Sequence, residues 1–305
     1  MLPKFLESLG DTLAKEWVAK VFTPAFVFWF GGGLAWGGRF GWNGLDAILT
    51  QKTNALPILQ VVLALLLVAV SAIVVQRLEL NVLRFLEGYW FSWLLPLRNW
   101  LIQGQAIQAK KAEKQFQILA GKNLSTLTAD ELDNYARLDW QLKQTPVKRD
   151  RLMPTHLGNI LRAAELRSLE KYGLESIICF PRLWLLLSND VKTELTEARS
   201  RLNAMVRIWV WSVLFFGWGI WAWWAIPIGL ISAFVAYRWM LDAAVIYGDL
   251  VESVFDLYRT SLYKSLRWKL PTNPTEERQM GQALTDYLWR GFTEPEPTFE
   301  VPDKG

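Results

Sequence analysis

The stretch AMVRIWVWSVLFFGWGIWAWWAIPIGLISAFVAYRWMLDAAVIY, Ala204 to Tyr247, decides the fold class. Between Arg207 and Arg238 it holds no charged residue. One membrane span takes about 20 apolar residues. The block is therefore too long for one span and too apolar for the surface helix of a soluble protein. It reads as a hairpin of two spans, with the turn near Trp223, Trp224 and Pro227.

Upstream, two further spans are expected. Val18 to Gly38 contains Phe26-Val27-Phe28-Trp29-Phe30 and then Gly31-Gly32-Gly33. Gly33 and Gly37 form a small-xxx-small pair that admits close helix approach. Gly31, Gly32, Gly33 and Gly37 read either as a hinge or pore lining, or as a tight packing surface. Leu56 to Gln76 is almost wholly apolar. The pattern after it, with Arg77, Asn81, Arg84, Gly88 and Ser92 on one face, predicts one long helix with an interfacial or subunit-covered end and a kink at Pro96. A third full span there would bury Arg84 and Glu87 in lipid, which is costly.

Composition agrees with a partly membrane-embedded chain. Of 305 residues 52% are hydrophobic, and the mean hydropathy is +0.14. The 18 tryptophans suit membrane–water interfaces. The net charge of +4 is read as basic loops on one side of the membrane, not as nucleic-acid binding. Cys179 is the only cysteine and His156 the only histidine, so an intrachain disulfide and a cysteine-type zinc site are excluded, and no nucleophile-and-base pattern surrounds His156. No Gly-rich phosphate loop follows a strand pattern. The expectation is a protein without enzymatic activity, cofactor or bound metal.

Outside the spans the reading is helical. Residues 1–17 carry Leu2, Phe5, Leu6, Leu9, Leu13 and Trp17 at helical spacing, an amphipathic helix and not a signal peptide. Residues 77–203 form a cytoplasmic or interfacial helical region. Within it, Ala106 to Ala120 is a polar helix. Thr128 and Glu131 make a capping box for a helix through Leu142, and a helix opened by Pro154-Thr155 stops at Gly173. Ser176 to Phe180 reads as a short strand or buried turn before Pro181. A helix begun at Asp190 runs unbroken into the hairpin. From 248 the chain continues helically to about Leu270, is stopped by Pro271 and Pro274, and forms a last helix reaching Trp289. Basic residues crowd the segment between the second and third spans, which places that segment and both termini in the cytoplasm.

Three constellations stand out. Arg207, Arg238 and Asp242 lie one turn inside the hairpin mouth. They read as an inner gate or charge ring, or as a structural salt bridge with snorkelling arginines. Asp249, Glu252 and Asp256 continue the face of Asp242 as an interaction surface, with Arg162 and Arg167 as its candidate basic counterpart. His156 shares a helix face with Asn159, Arg162 and Glu165 and reads as structural.

The wording of Pro154-Thr-His-Leu-Gly-Asn-Ile-Leu-Arg-Ala-Ala-Glu165, Tyr172-Gly173-Leu174-Glu175 and Pro181-Arg182-Leu183-Trp184 resembles a family of uncharacterised bacterial membrane proteins. Tyr247-Gly248-Asp249, Phe255-Asp256-Leu257-Tyr258-Arg259 and Leu288-Trp289-Arg290-Gly291 are similar to its C-terminal pattern, which has Arg where this chain has His156. The resemblance implies a four-span bacterial protein and no particular activity. The layout alone, two spans, a helical insert, two spans and a helical tail, is similar to that of bestrophin-type anion channels. The combined expectation is an all-α, four-span, homo-oligomeric protein of the bacterial inner membrane. It acts as a channel gated through its cytoplasmic helices, or as a membrane-anchored scaffold with a cytoplasmic protein partner. The lipid bilayer is its other partner.

Overall fold

The computed structural model describes residues 18–41, 56–291 and 299. The expected N-terminal amphipathic helix and most of the acidic tail lie outside them. The regular structure of the described residues is helical, with no strand among them. After a π-helical turn at Val18–Phe22, the helices are α1 (Thr23–Phe40), α2 (Leu56–Glu87), α3 (Leu95–Ala120), α4 (Ala129–Lys143), α5 (His156–Tyr172), α6 (Ser176–Leu186), α7 (Asn189–Phe215), α8 (Ala225–Ser265) and α9 (Pro274–Arg290). Three helical stretches are long and apolar enough to cross a membrane: Leu59–Ala120, which includes α2 and α3, then Asn189–Ile220 and Ala225–Ser265. The helix α1 is not among them, because its five glycines and two tryptophans dilute its apolarity.

The chain divides into two compact units. The first comprises the chain up to Arg84 together with Ser200–Met240. Here α2 packs along a narrow stripe of Val68, Ala72 and Val75, and these meet Val21, Ala25 and Trp211. The rest of its apolar surface is bare, with Val61, Leu66 and Val70 each more than half exposed. Such surface requires lipid or another protein around it. Gly31 and Gly32 let α1 approach α7. A Cβ on Gly31 would stand 2.5 Å from the Phe215 ring, and one on Gly32 would stand 2.4 Å from the Trp218 indole. Gly37 is buried too, whereas Gly33 faces open space. The glycines therefore serve packing at Gly31 and Gly32. Past Phe215 the backbone tightens into a 3-10 helix at Phe216–Ile220. Its rise of roughly 2 Å per residue, against about 1.5 Å in α-helix, extends the reach of α7 toward the turn.

The second unit comprises Phe85–Arg199 and the chain from Leu241. Its core joins Leu174, Cys179, Leu183 and Leu195 to Val254, Phe255, Tyr263 and Leu284. Several sequence readings are corrected here. The long helix expected through Pro96 breaks at Gly88, whose φ of +106° suits glycine, and a Cβ there would stand 2.2 Å from the Pro154 ring. Pro96 instead lies in the first turn of α3, where its missing N–H costs nothing. Ser176 to Phe180 is neither strand nor turn but the start of α6, with Pro181 inside the helix. Burial of Ser176, Cys179, Leu183 and Leu187 at helical spacing outweighs the β-branched bias and the bond lost at the proline. The helix after the hairpin ends at Ser265, before the prolines, where Arg267 takes a positive φ of 58° and Trp268 turns into the core.

Other ends follow side-chain caps. Thr128 and Glu131 form the reciprocal capping box of α4. Thr155 caps α5, and Gly173 closes it in the left-handed region. Asn273 caps α9 and Gly291 ends it. The tightest crossing in this unit sets α9 against the end of α5, where a Cβ on Gly281 would lie 1.9 Å from the Tyr172 carbonyl oxygen. Backbone cannot yield as a side-chain tip does. Gly281→Ala is expected to cost about 1–3 kcal/mol through overpacking, read as a lowered midpoint of thermal unfolding in detergent, while Gly33→Ala leaves the midpoint unchanged or higher.

Candidate functional site

A charged cluster lies in the first unit. Glu79 is on α2, four residues after the buried Val75 and four before the buried Leu83. Arg207, on α7, is 5% exposed and forms an ion pair with the Glu79 carboxylate. Asn203, one turn before Arg207, donates from Nδ2 to Glu79 Oε1 at 3.1 Å. The Asn203 Oδ1 is buried without a hydrogen-bond partner among the described residues. The sequence places Arg207 at the depth of an Arg238–Asp242 pair; in the structure Arg207 pairs with Glu79, and no Arg238–Asp242 ion pair forms among the described residues. Arg238 and Asp242 are both exposed. No ion pair or hydrogen bond to Arg238 is formed among the described residues. Glu79 had a sequence signal, a carboxylate on the same helical stripe as Val68, Ala72, Val75 and Leu83.

Above this cluster the unit is aromatic. The Trp29 indole donates to Ser71 Oγ at 3.0 Å, and the Trp218 indole donates to the Phe28 carbonyl at 3.2 Å. The Phe28 ring lies 5.0 Å from both Trp211 and Trp218. These half-buried indole N–H groups are thereby satisfied without charge.

In the second unit the acidic face of α8 meets α4 and α5. Lys143 pairs with Asp249 at 2.8 Å. Glu252, only 12% exposed, takes Lys171 at 2.6 Å and Arg167 at 3.7 Å. Asp256 takes Lys171 at 3.3 Å and the Tyr172 hydroxyl at 2.5 Å. Arg162 pairs instead with Glu165 on its own helix at 3.2 Å. Burial pulls the Lys171 ammonium down, but Glu252 and Asp256 outweigh it and hold the group above the ordinary lysine range. Burial, aided by the bond to Asp256, pushes the Tyr172 phenol up. The face proposed for an outside partner is therefore largely occupied from within. Asn159 is likewise structural: buried, it accepts from the Met153 N–H at 2.8 Å and donates to Gln105 at 3.3 Å. His156 borders a cleft of about 830 Å³, open mouth included, with Gln105, Gln108, Gln141, Gln144 and Trp140.

A second cleft, of about 710 Å³ with its mouth, is bordered by Glu87, Glu165, Arg199, Tyr247 and Phe180. The Arg199 guanidinium stacks over the Tyr247 ring at 5.4 Å. No cluster of His, Cys, Asp and Glu able to hold a metal occurs among the described residues. The Ser168 and Ser176 hydroxyls bond each other at 2.8 Å, and each also bonds a backbone carbonyl. Burial pushes the Cys179 thiol up to about 11. No family model, no curated protein and no solved structure matches the chain.

Two outcomes test this geometry. Glu79→Ala leaves the Arg207 charge buried and should cost about 3–5 kcal/mol. The double variant Glu79→Leu, Arg207→Met should recover most of that loss, measured by chemical unfolding of all variants in one detergent. The Cys179 thiol should resist a thiol reagent at pH 8 in the folded protein and react within minutes once it is unfolded, because exposure restores the thiolate.

Proposed function

We propose that the chain is the subunit of an oligomeric membrane channel regulated through its helices outside the spans. The observation that carries this reading is Arg238. It lies 13 residues into α8, about 20 Å along the helix axis from Ala225. A bilayer hydrocarbon core is about 30 Å thick. With the tryptophan-rich turn at one interface, the Arg238 backbone falls short of the other. Its depth there is like that of Arg207, which is buried and paired. Arg238 is exposed and has no such partner among the described residues. An exposed arginine beside lipid costs several kcal/mol, whereas a water-filled lumen between subunits solvates it. Thr23–Phe40 serves in this reading as the fourth span, and the bacterial inner membrane, with both termini cytoplasmic, as the location.

The test is ion flux through the purified protein in liposomes, with native mass spectrometry of the same sample. The expected result is an oligomer with measurable conductance, in which Arg238→Glu shifts the reversal potential toward cation permeability. A monomer that passes no ions in wild-type form contradicts the reading.

A further inference from the structure

The helix α3 presents an exposed stripe that the packing of its own unit does not use. Leu97, Trp100, Gly104, Ile107, Lys111, Lys114 and Ile118 recur at alternating intervals of three and four along its length. Trp100 is 67% exposed, Ile107 70% and Ile118 57%. Gly104 faces open space. The opposite face is spoken for, since Ala112 and Leu119 are buried against Leu127 and Leu138. Directly before α3, Phe91 and Trp93 are 68% and 75% exposed. This is a largely apolar stripe, interrupted by two lysines, on a helix of 26 residues, about 39 Å long.

We propose that this stripe is a docking surface for anionic lipid headgroups, with α3 lying on the membrane surface. Three features choose that occupant. First, charge: from Gly88 to Ala112 the chain has Arg98, Lys110 and Lys111 and no carboxylate, and Lys111 and Lys114 interrupt the apolar stripe itself. On a second copy the same stripe offers these lysines no carboxylate, since Glu113, the one acid of the helix, lies off it. Second, side-chain type: tryptophan beside lysine is the pairing of an in-plane amphipathic helix, with the rings in the interface and the ammonium groups among phosphates. Third, continuity: α3 begins a few residues after α2, whose apolar run is long enough to cross a membrane. Between them the Trp90 indole donates to the Phe85 carbonyl at 2.7 Å and Arg98 Nε donates to the Gly88 carbonyl at 3.2 Å. The stripe thus starts where a membrane-crossing helix ends.

The experiment uses the full chain in vesicles, with nitroxides placed singly at Trp100→Cys, Ile107→Cys and, off the stripe, Glu113→Cys. Wild type, whose Cys179 is buried, serves as the unlabelled control. Collision with oxygen and with a water-soluble nickel chelate is compared in phosphatidylcholine vesicles with and without phosphatidylglycerol. The expected result is high oxygen and low nickel accessibility at positions 100 and 107, the reverse at 113, and deeper placement when phosphatidylglycerol is present. Replacing Lys111 and Lys114 by Glu should remove that dependence, worth about five-fold in surface occupancy per lysine. Nickel accessibility at position 107 equal to that at 113 overturns the proposal. So does exclusion of both reagents, which means a protein cover, and so does lipid exposure unchanged by phosphatidylglycerol or by the lysine replacements.

Discussion

An arginine inside an apolar helical unit must have a counter-charge, and in this protein Arg207 has Glu79. The pair ties α7 to α2, and Asn203 adds a second bond to the same carboxylate. Neither charge is tolerable alone at that burial, since an unpaired buried ion is far costlier than a paired one. The pair therefore sets the register of α7 on α2, and the aromatic layer follows from it. Trp211 falls one turn beyond Arg207 and reaches Phe28, and Trp218 falls two turns further and closes over Gly32. The glycines of α1 are small because those rings are large.

The second unit is held by a different means. Its helices meet at glycines set against backbone, at Gly158 under the Glu87 carbonyl and at Gly281 under the Tyr172 carbonyl. Such crossings leave no room for side-chain adjustment and make the relative positions of α5 and α9 precise. Around them, Lys143, Arg167 and Lys171 meet Asp249, Glu252 and Asp256 in a ladder that links α4 and α5 to α8. Only Glu252 is well buried among these carboxylates, so the ladder contributes more to the choice of partner helix than to stability. Arg259 extends it, pairing with Glu277 at 2.7 Å and lying 4.2 Å from the centre of the Tyr172 ring.

Much of the architecture was legible in the residues. The charge-free run between Arg207 and Arg238 marks apolar helices, Thr128 with Glu131 marks a capping box, and Gly173 marks a helix end, because each is a local signal. What failed depended on distant neighbours. The break at Gly88 is demanded by Pro154, and the helicity of Ser176 to Leu186 by a core supplied from α8 and α9. The site was half readable. Arg207 stood out as a charge beside an apolar run, but its partner Glu79 sits amid the exposed Arg77, Asn81 and Arg84, and only its place on the stripe of Val75 and Leu83 sets it apart from them. Glycine spacing flagged close approach without saying which side of α1 is used.

The same contrast between paired and unpaired charge underlies the functional reading. Arg207 is neutralised by Glu79, whereas Arg238 is exposed and forms no ion pair among the described residues; in the proposed reading water in a lumen solvates it. Water in a lumen and lipid headgroups reached by snorkelling make different demands on the same atom. The direct measurement is the reaction of Arg238→Cys, in bilayers, with a charged thiol reagent that does not cross lipid. The account predicts rapid modification from the aqueous phase, slowed by a pore-sized blocking cation. A cysteine at 238 that reacts only with lipid-soluble reagents would contradict it.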